Sequence, residues 1–142
     1  MNGHTELLSF VYQNAQMGVE TIDQLTGITQ DTEFKRHLQA QYEEYKGILS
    51  EAKRMFEMEG KDEKGLSAFE KVRTYLMISL ETLGDKSTSH IAEMMTIGST
   101  MGVIQAIRNI RKYEHAQADI LNLMKRLLRF EEDNITQLKK FI

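Results

Sequence analysis

Residues 121–142 read LNLMKRLLRFEEDNITQLKKFI. Leu121, Met124, Leu128, Glu131, Ile135, Leu138 and Ile142 are separated by alternating steps of three and four. That spacing draws one stripe along an α-helix and is the seam of helices packed at shallow angles. One position in the seam is an acid. Glu131 stands mid-helix among apolar neighbours, where a carboxylate must find donors or shift its pKa.

Two other stretches carry the same alternation. Leu7, Val11, Asn14, Gly18, Thr21, Leu25 and Ile28 form one seam, and Phe34, Leu38, Gln41, Tyr45, Ile48, Ala52 and Met55 form another. A broader apolar stripe runs through Ile91, Met94, Met95, Ile97, Met101, Ile104 and Ile107. Helical seams across most of the chain predict an all-α fold, a four-helix bundle with an added shorter helix, as one domain over residues 1–142.

Composition agrees. The 142 residues contain no proline, and a β-rich or loop-rich domain of this size normally uses several at edges and turns. No cysteine is present, which excludes disulfides, thiolate metal sites and cysteine nucleophiles. The formal charge is −3, with 18 basic and 21 acidic residues, and no segment reads as a nucleic-acid surface. No basic-then-apolar leader and no apolar run of bilayer length stands out, so no membrane association and a bacterial-type cytoplasmic location are the expectations. Nine methionines fall on the helical stripes and read as core filler.

Glycines and caps predict five helical segments. The first spans Thr5–Thr26 and stops at Gly27, a natural left-handed residue. The second starts near Thr29–Asp31 and stops at Gly60, followed by a charged linker, Lys61–Gly65. Ser67 and Glu70 form a capping box that opens a third helix ending at Leu83-Gly84. The fourth spans His90–Arg111 and the last His115–Phe141. Their boundary near Lys112–Glu114 has neither glycine nor proline, so one continuous helix is the competing reading.

Two paired long helices joined by a crossover resemble the ferritin-like superfamily, in particular its uncharacterised bacterial members. Leu127–Leu138, with Glu131 in its middle, looks like the fourth helix of such proteins, and Gln41-Tyr42-Glu43-Glu44-Tyr45-Lys46 sits where the second helix carries a glutamate–histidine pair. The resemblance implies a left-handed, up-down bundle with a crossover. Its di-iron chemistry needs glutamates from two helices and a Glu-x-x-His from each of the other two. Here Asn134 stands where Glu131 would be followed by histidine, Glu43 and Glu44 fall off the seam, and Gly98 and Gly102 occupy the middle of the fourth segment. An iron or manganese site is therefore not expected, Glu131 being the remaining candidate ligand.

Reflecting the helices through their turns sets Asn14 beside Tyr42 or Tyr45, and Glu131 beside Ile97 and Gly98. Asn14, Gln41, Tyr45, Glu131 and Asn134 then make a mid-bundle polar layer, which reads either as a hydrogen-bonded register device or as an altered ligand site. A small-residue stripe, Ala92, Gly98, Gly102 and Ala106, reads either as close packing against Ala15 and Gly18 or as the wall of a cavity beside Glu131. His4, His37, His90 and His115 lie near helix ends, with Glu33 and His37 placed for a surface contact. Arg108, Arg111, Lys112, Lys125, Arg126 and Arg129 read as solvated faces.

Two functions follow as expectations. The first is a non-catalytic bundle acting through self-association, a dimer being favoured if Phe10, Met77 and Leu123 are left uncovered, or through a partner. The alternative is a ferritin-like protein that binds a metal or small molecule around Glu131. A carboxylate-based enzyme lacks a second inward acid.

Overall fold

A computed structural model describes residues 4–58 and 83–142. Within them lie four helices and no strand: α1 (His4–Ile28), α2 (Thr32–Met58), α3 (Thr88–Lys112) and α4 (Ala118–Leu138). At 1.5 Å per residue they are about 32–40 Å long. No helix among the described residues is long and apolar enough to cross a membrane. The expected stop at Gly60, the Lys61–Gly65 linker and the Ser67–Glu70 capping box lie outside the described residues.

Each boundary has a local cause. Gly27 is not the left-handed stop that its residue type suggests; it continues α1 with no positive φ. Instead the Thr29 hydroxyl donates to the Leu25 carbonyl at 2.7 Å, satisfying a last-turn acceptor. Asp31 opens α2 by accepting from the Phe34 N–H at 2.8 Å, a cap that contributes about 1 kcal/mol. Ser87 opens α3 by accepting from His90 N–H. The Lys112–Glu114 region is a turn: Tyr113 caps α3, and Ala116 N–H closes onto the Tyr113 carbonyl. The single continuous helix is thereby excluded, and α4 begins three residues later than the expected His115.

Short turns make two antiparallel hairpins, α1–α2 and α3–α4. α4 packs against both α1 and α2, while α1 and α3 touch only sparingly. The α2 seam is buried at all seven expected positions. Edge-on contact of Tyr12 with Phe56 joins α1 to α2, and Tyr45 against Phe130 joins α2 to α4. Arg126, expected on a solvated face, reaches back to Glu44 at 2.8 Å and lies over Gly47.

The other seams are corrected. On α4 the buried set is Ile120, Leu123, Met124, Leu127, Glu131, Asn134 and Leu138, rotated slightly from the expected stripe. On α3 the expected stripe holds only at its start: Ile91 is buried and Met94 and Met95 are half-buried, whereas Ile97, Met101, Ile104 and Ile107 are exposed and Ala92, Ser99 and Ala106 are buried in their place. Ser99 and Gly102 are the α3 positions that face Glu131 of α4, so the larger side chains beside them fall on the outer face. Leu123 is buried and Phe10 packs against the core, so neither marks an interface; Met77 lies outside the described residues.

Candidate functional site

The polar layer assembles around Glu131. Its residue is 6% exposed, and its Oε1 accepts from the Tyr45 hydroxyl. Burial raises the Glu131 pKa above the usual carboxylate range, and the Tyr45 and Ser99 hydroxyls offset part of that rise. Burial, the Glu131 charge and the shared hydrogen bond push Tyr45 well above an ordinary phenol, outweighing a small opposing effect of Asn134. Tyr45 therefore stays a protonated donor.

The Tyr45 ring is seated by neighbours. A Cβ on Gly18 would come within 2.6 Å of the ring, so that face of α1 has to be bare. Phe130 meets the ring edge-on at 4.7 Å between centroids. Asn134 is buried one turn beyond Glu131, and its Nδ2 is the buried side-chain atom left without a hydrogen-bond partner among the described residues.

The α3 partners of Glu131 differ from the expected Ile97 and Gly98. The turn centres on residues 113–117 rather than 112–114, which shifts the register. Ser99 and Gly102 face the carboxylate, a Cβ on Gly102 lying 3.6 Å from Glu131 Cδ. Gly98 faces open space: a Cβ there would meet no atom within 4 Å. The close packing expected of Gly98 against α1 is absent; Ala106 is the member of the stripe that is fully buried with Ala92.

Gln41 is buried, and its Nε2 bonds His37 Nε2 one turn earlier. His37 thus joins the polar layer, in place of the surface contact with Glu33 that spacing suggested. Burial first, then the charge of Lys140, lower the His37 pKa, and its ring packs against Phe34 and Phe141, which also touch each other. Asn14 is half-buried and donates to the Phe10 carbonyl at 3.0 Å.

These residues border a cavity of about 470 Å³. Asn14, Thr21, Gln41, Tyr45, Ser99 and Glu131 supply its polar points. Ile22, Leu25, Ile91, Met17, Met94 and Met95 supply most of its wall, and Gly18, Gly98 and Gly102 leave it room. Asn134 stands behind Glu131 and is not part of the lining. Ser99 and His37 are site residues that spacing alone passed over. The signal for Ser99 was its place between two helix-interior glycines.

Among the described residues no three His, Asp or Glu side chains cluster to hold a metal ion. Among the described residues Glu131 is the carboxylate of the cavity lining. Family models, curated proteins and solved structures all return no match to this chain.

Proposed function

We propose that this protein is a ferritin-like bundle without the family's metal chemistry, which binds a small, largely apolar organic molecule beside Glu131. The observation that carries this reading is the cavity itself: about 470 Å³, mainly apolar, with a few polar groups converging on one buried carboxylate. That volume and lining are typical of small-molecule sites. Calorimetric titration with hexan-1-ol and cyclohexanol tests it, alongside Gly98→Leu, which sends a side chain into the open space beside Gly98. Saturable binding lost in a folded Gly98→Leu protein supports the reading. Stoichiometric iron or manganese after growth in metal-replete medium, lost on Glu131→Ala, would overturn it.

A second reading, self-association, has its own observation. Glu93, Ile97, Met101, Ile104 and Arg108 share the exposed face of α3. Two copies of α3 laid antiparallel would pair Ile97 with the partner's Ile104, and Glu93 with the partner's Arg108. The row is therefore self-complementary in shape and charge, as a two-fold interface requires. The occupant is a second copy of this chain. Sedimentation equilibrium should show a dimer that Ile97→Glu splits and that Glu93→Arg weakens. Adding Arg108→Glu to Glu93→Arg should restore it. A monomer at every concentration would end this reading.

A further inference from the structure

We propose that the molecule taken up by the cavity carries one primary or secondary ammonium group, bound at Glu131 Oε2, on an otherwise apolar body. This deepens the small-molecule reading above and rests on it. Three observations on the geometry converge.

First, among the described residues Glu131 is the only carboxylate in the lining, and no lysine, arginine or histidine borders the cavity. From α2 it meets the neutral Tyr45, from α3 Ser99 and the bare backbone of Gly102, and on its own helix Asn134 stands one turn beyond. α1 contributes Asn14 and Gly18 to the same space. His37 communicates only through Gln41 and is held neutral by burial and Lys140. A carboxylate this deep is costly to ionise unless a cation or several donors pair with it.

Second, the two oxygens are not equivalent. Oε1 is taken by Tyr45, while Oε2 faces Gly102, where a Cβ would stand 3.7 Å away. The absence of a Cβ at Gly102 leaves an approach to the carboxylate on that side, and the Ser99 hydroxyl, which also bonds Glu131, is the one α3 donor an ammonium would share it with. Third, the rest of the wall is aliphatic and thioether, with Ile22, Leu25, Met94 and Met95 able to cover an alkyl or alicyclic body. An anionic ligand would meet Glu131 with no counter-charge.

Ion pairing needs Glu131 ionised and the amine protonated. Affinity therefore rises as pH rises through the elevated Glu131 pKa, and falls again once the amine loses its proton.

The test is calorimetric titration of the full chain with hexylamine, hexan-1-ol and hexanoate at matched ionic strength. Hexylamine should bind about tenfold or more tightly than hexan-1-ol, as a charge-assisted hydrogen bond allows. Hexanoate should bind more weakly than either. Glu131→Gln should erase the preference for amine while keeping the alcohol. If Glu131→Gln fails to fold, Gly102→Ala, whose methyl stands beside Oε2, should reduce the preference in its place. Alcohol and amine binding equally, or a preference that survives these substitutions, would overturn the amine assignment alone. Binding of none of the three would overturn the small-molecule reading as well.

Discussion

Gly18 lies directly under the ring of Tyr45, so close that a Cβ would stand 2.6 Å from two ring carbons. The ring has little room to shift, because it meets Phe130 edge-on and its hydroxyl is engaged by Glu131. Gly18→Ala should therefore destabilise the protein by roughly 1–3 kcal/mol, the usual cost of overpacking, despite alanine's better helix propensity. Combining it with Tyr45→Val should recover much of the loss, giving a coupling energy in a double-mutant cycle by urea denaturation.

Gly98 should respond in the opposite direction. It sits in the interior of α3 with nothing near its missing side chain. Gly98→Ala should stabilise by about 0.5–1 kcal/mol through helix propensity and the unfolded chain's entropy. Chemical denaturation of the two alanine variants side by side separates a glycine needed for contact from one that is not.

Glu131 makes stability depend on pH with a defined sign. Its folded pKa is raised, so the folded state holds its proton more tightly than the unfolded chain does. Its contribution is present below the unfolded carboxylate range and is lost as pH rises through the folded pKa. Glu131→Gln should thus gain on the parent as pH rises across that window, read as the difference between their thermal midpoints. A flat difference would mean that the carboxylate is fully compensated in place.

His37 has the reverse dependence. Burial and Lys140 lower its pKa, so the unfolded chain binds its proton first. Stability from the neutral ring is full above the unfolded value of about 6.5 and is lost as pH falls toward the folded pKa. His37→Phe, which keeps a ring against Phe34 and Phe141, should remove this acid-side slope in denaturation curves recorded at stepped pH.

Asn134 carries the cost of an unpaired donor. Nδ2 is buried without a well-formed partner and acts on the Tyr45 phenol only weakly, so Asn134→Leu should cost less than the roughly 1–3 kcal/mol that losing a satisfied buried partner costs. Thermal unfolding gives the size of the change.

How far these features were legible depends on what the seam contained. Phe34, Leu38, Ile48 and Met55 are large and apolar, and two polar residues among them, Gln41 and Tyr45, keep the spacing; all are buried. The mid-bundle layer was visible for the same reason, since polar residues at seam positions stand out. α3 misleads because hydropathy ranks Ile97, Met101 and Ile104 above Ala92, Ser99 and Ala106. Proximity to α4 selects for size instead. At Asn14, Gly18 and Thr21 the seam of α1 faces the cavity, a distinction that periodicity cannot draw between a filled and an open interior. Gly27 shows that a residue type permits a stop without imposing one; the hydroxyl of Thr29 supplies it.

The small-residue face of α3 bears on how the bundle opens. The middle of α3, where Ser99, Gly102 and Ala106 turn inward, forfeits little hydrophobic free energy when it separates from its neighbours. α2 is anchored by Phe34, Leu38, Ile48 and Phe56 and has no such latitude. Local opening is cheapest where least apolar surface is released, so α3 amides should exchange with solvent sooner than those of α2. α3 also bears Gly98 and Gly102, so opening there unseats one wall of the cavity.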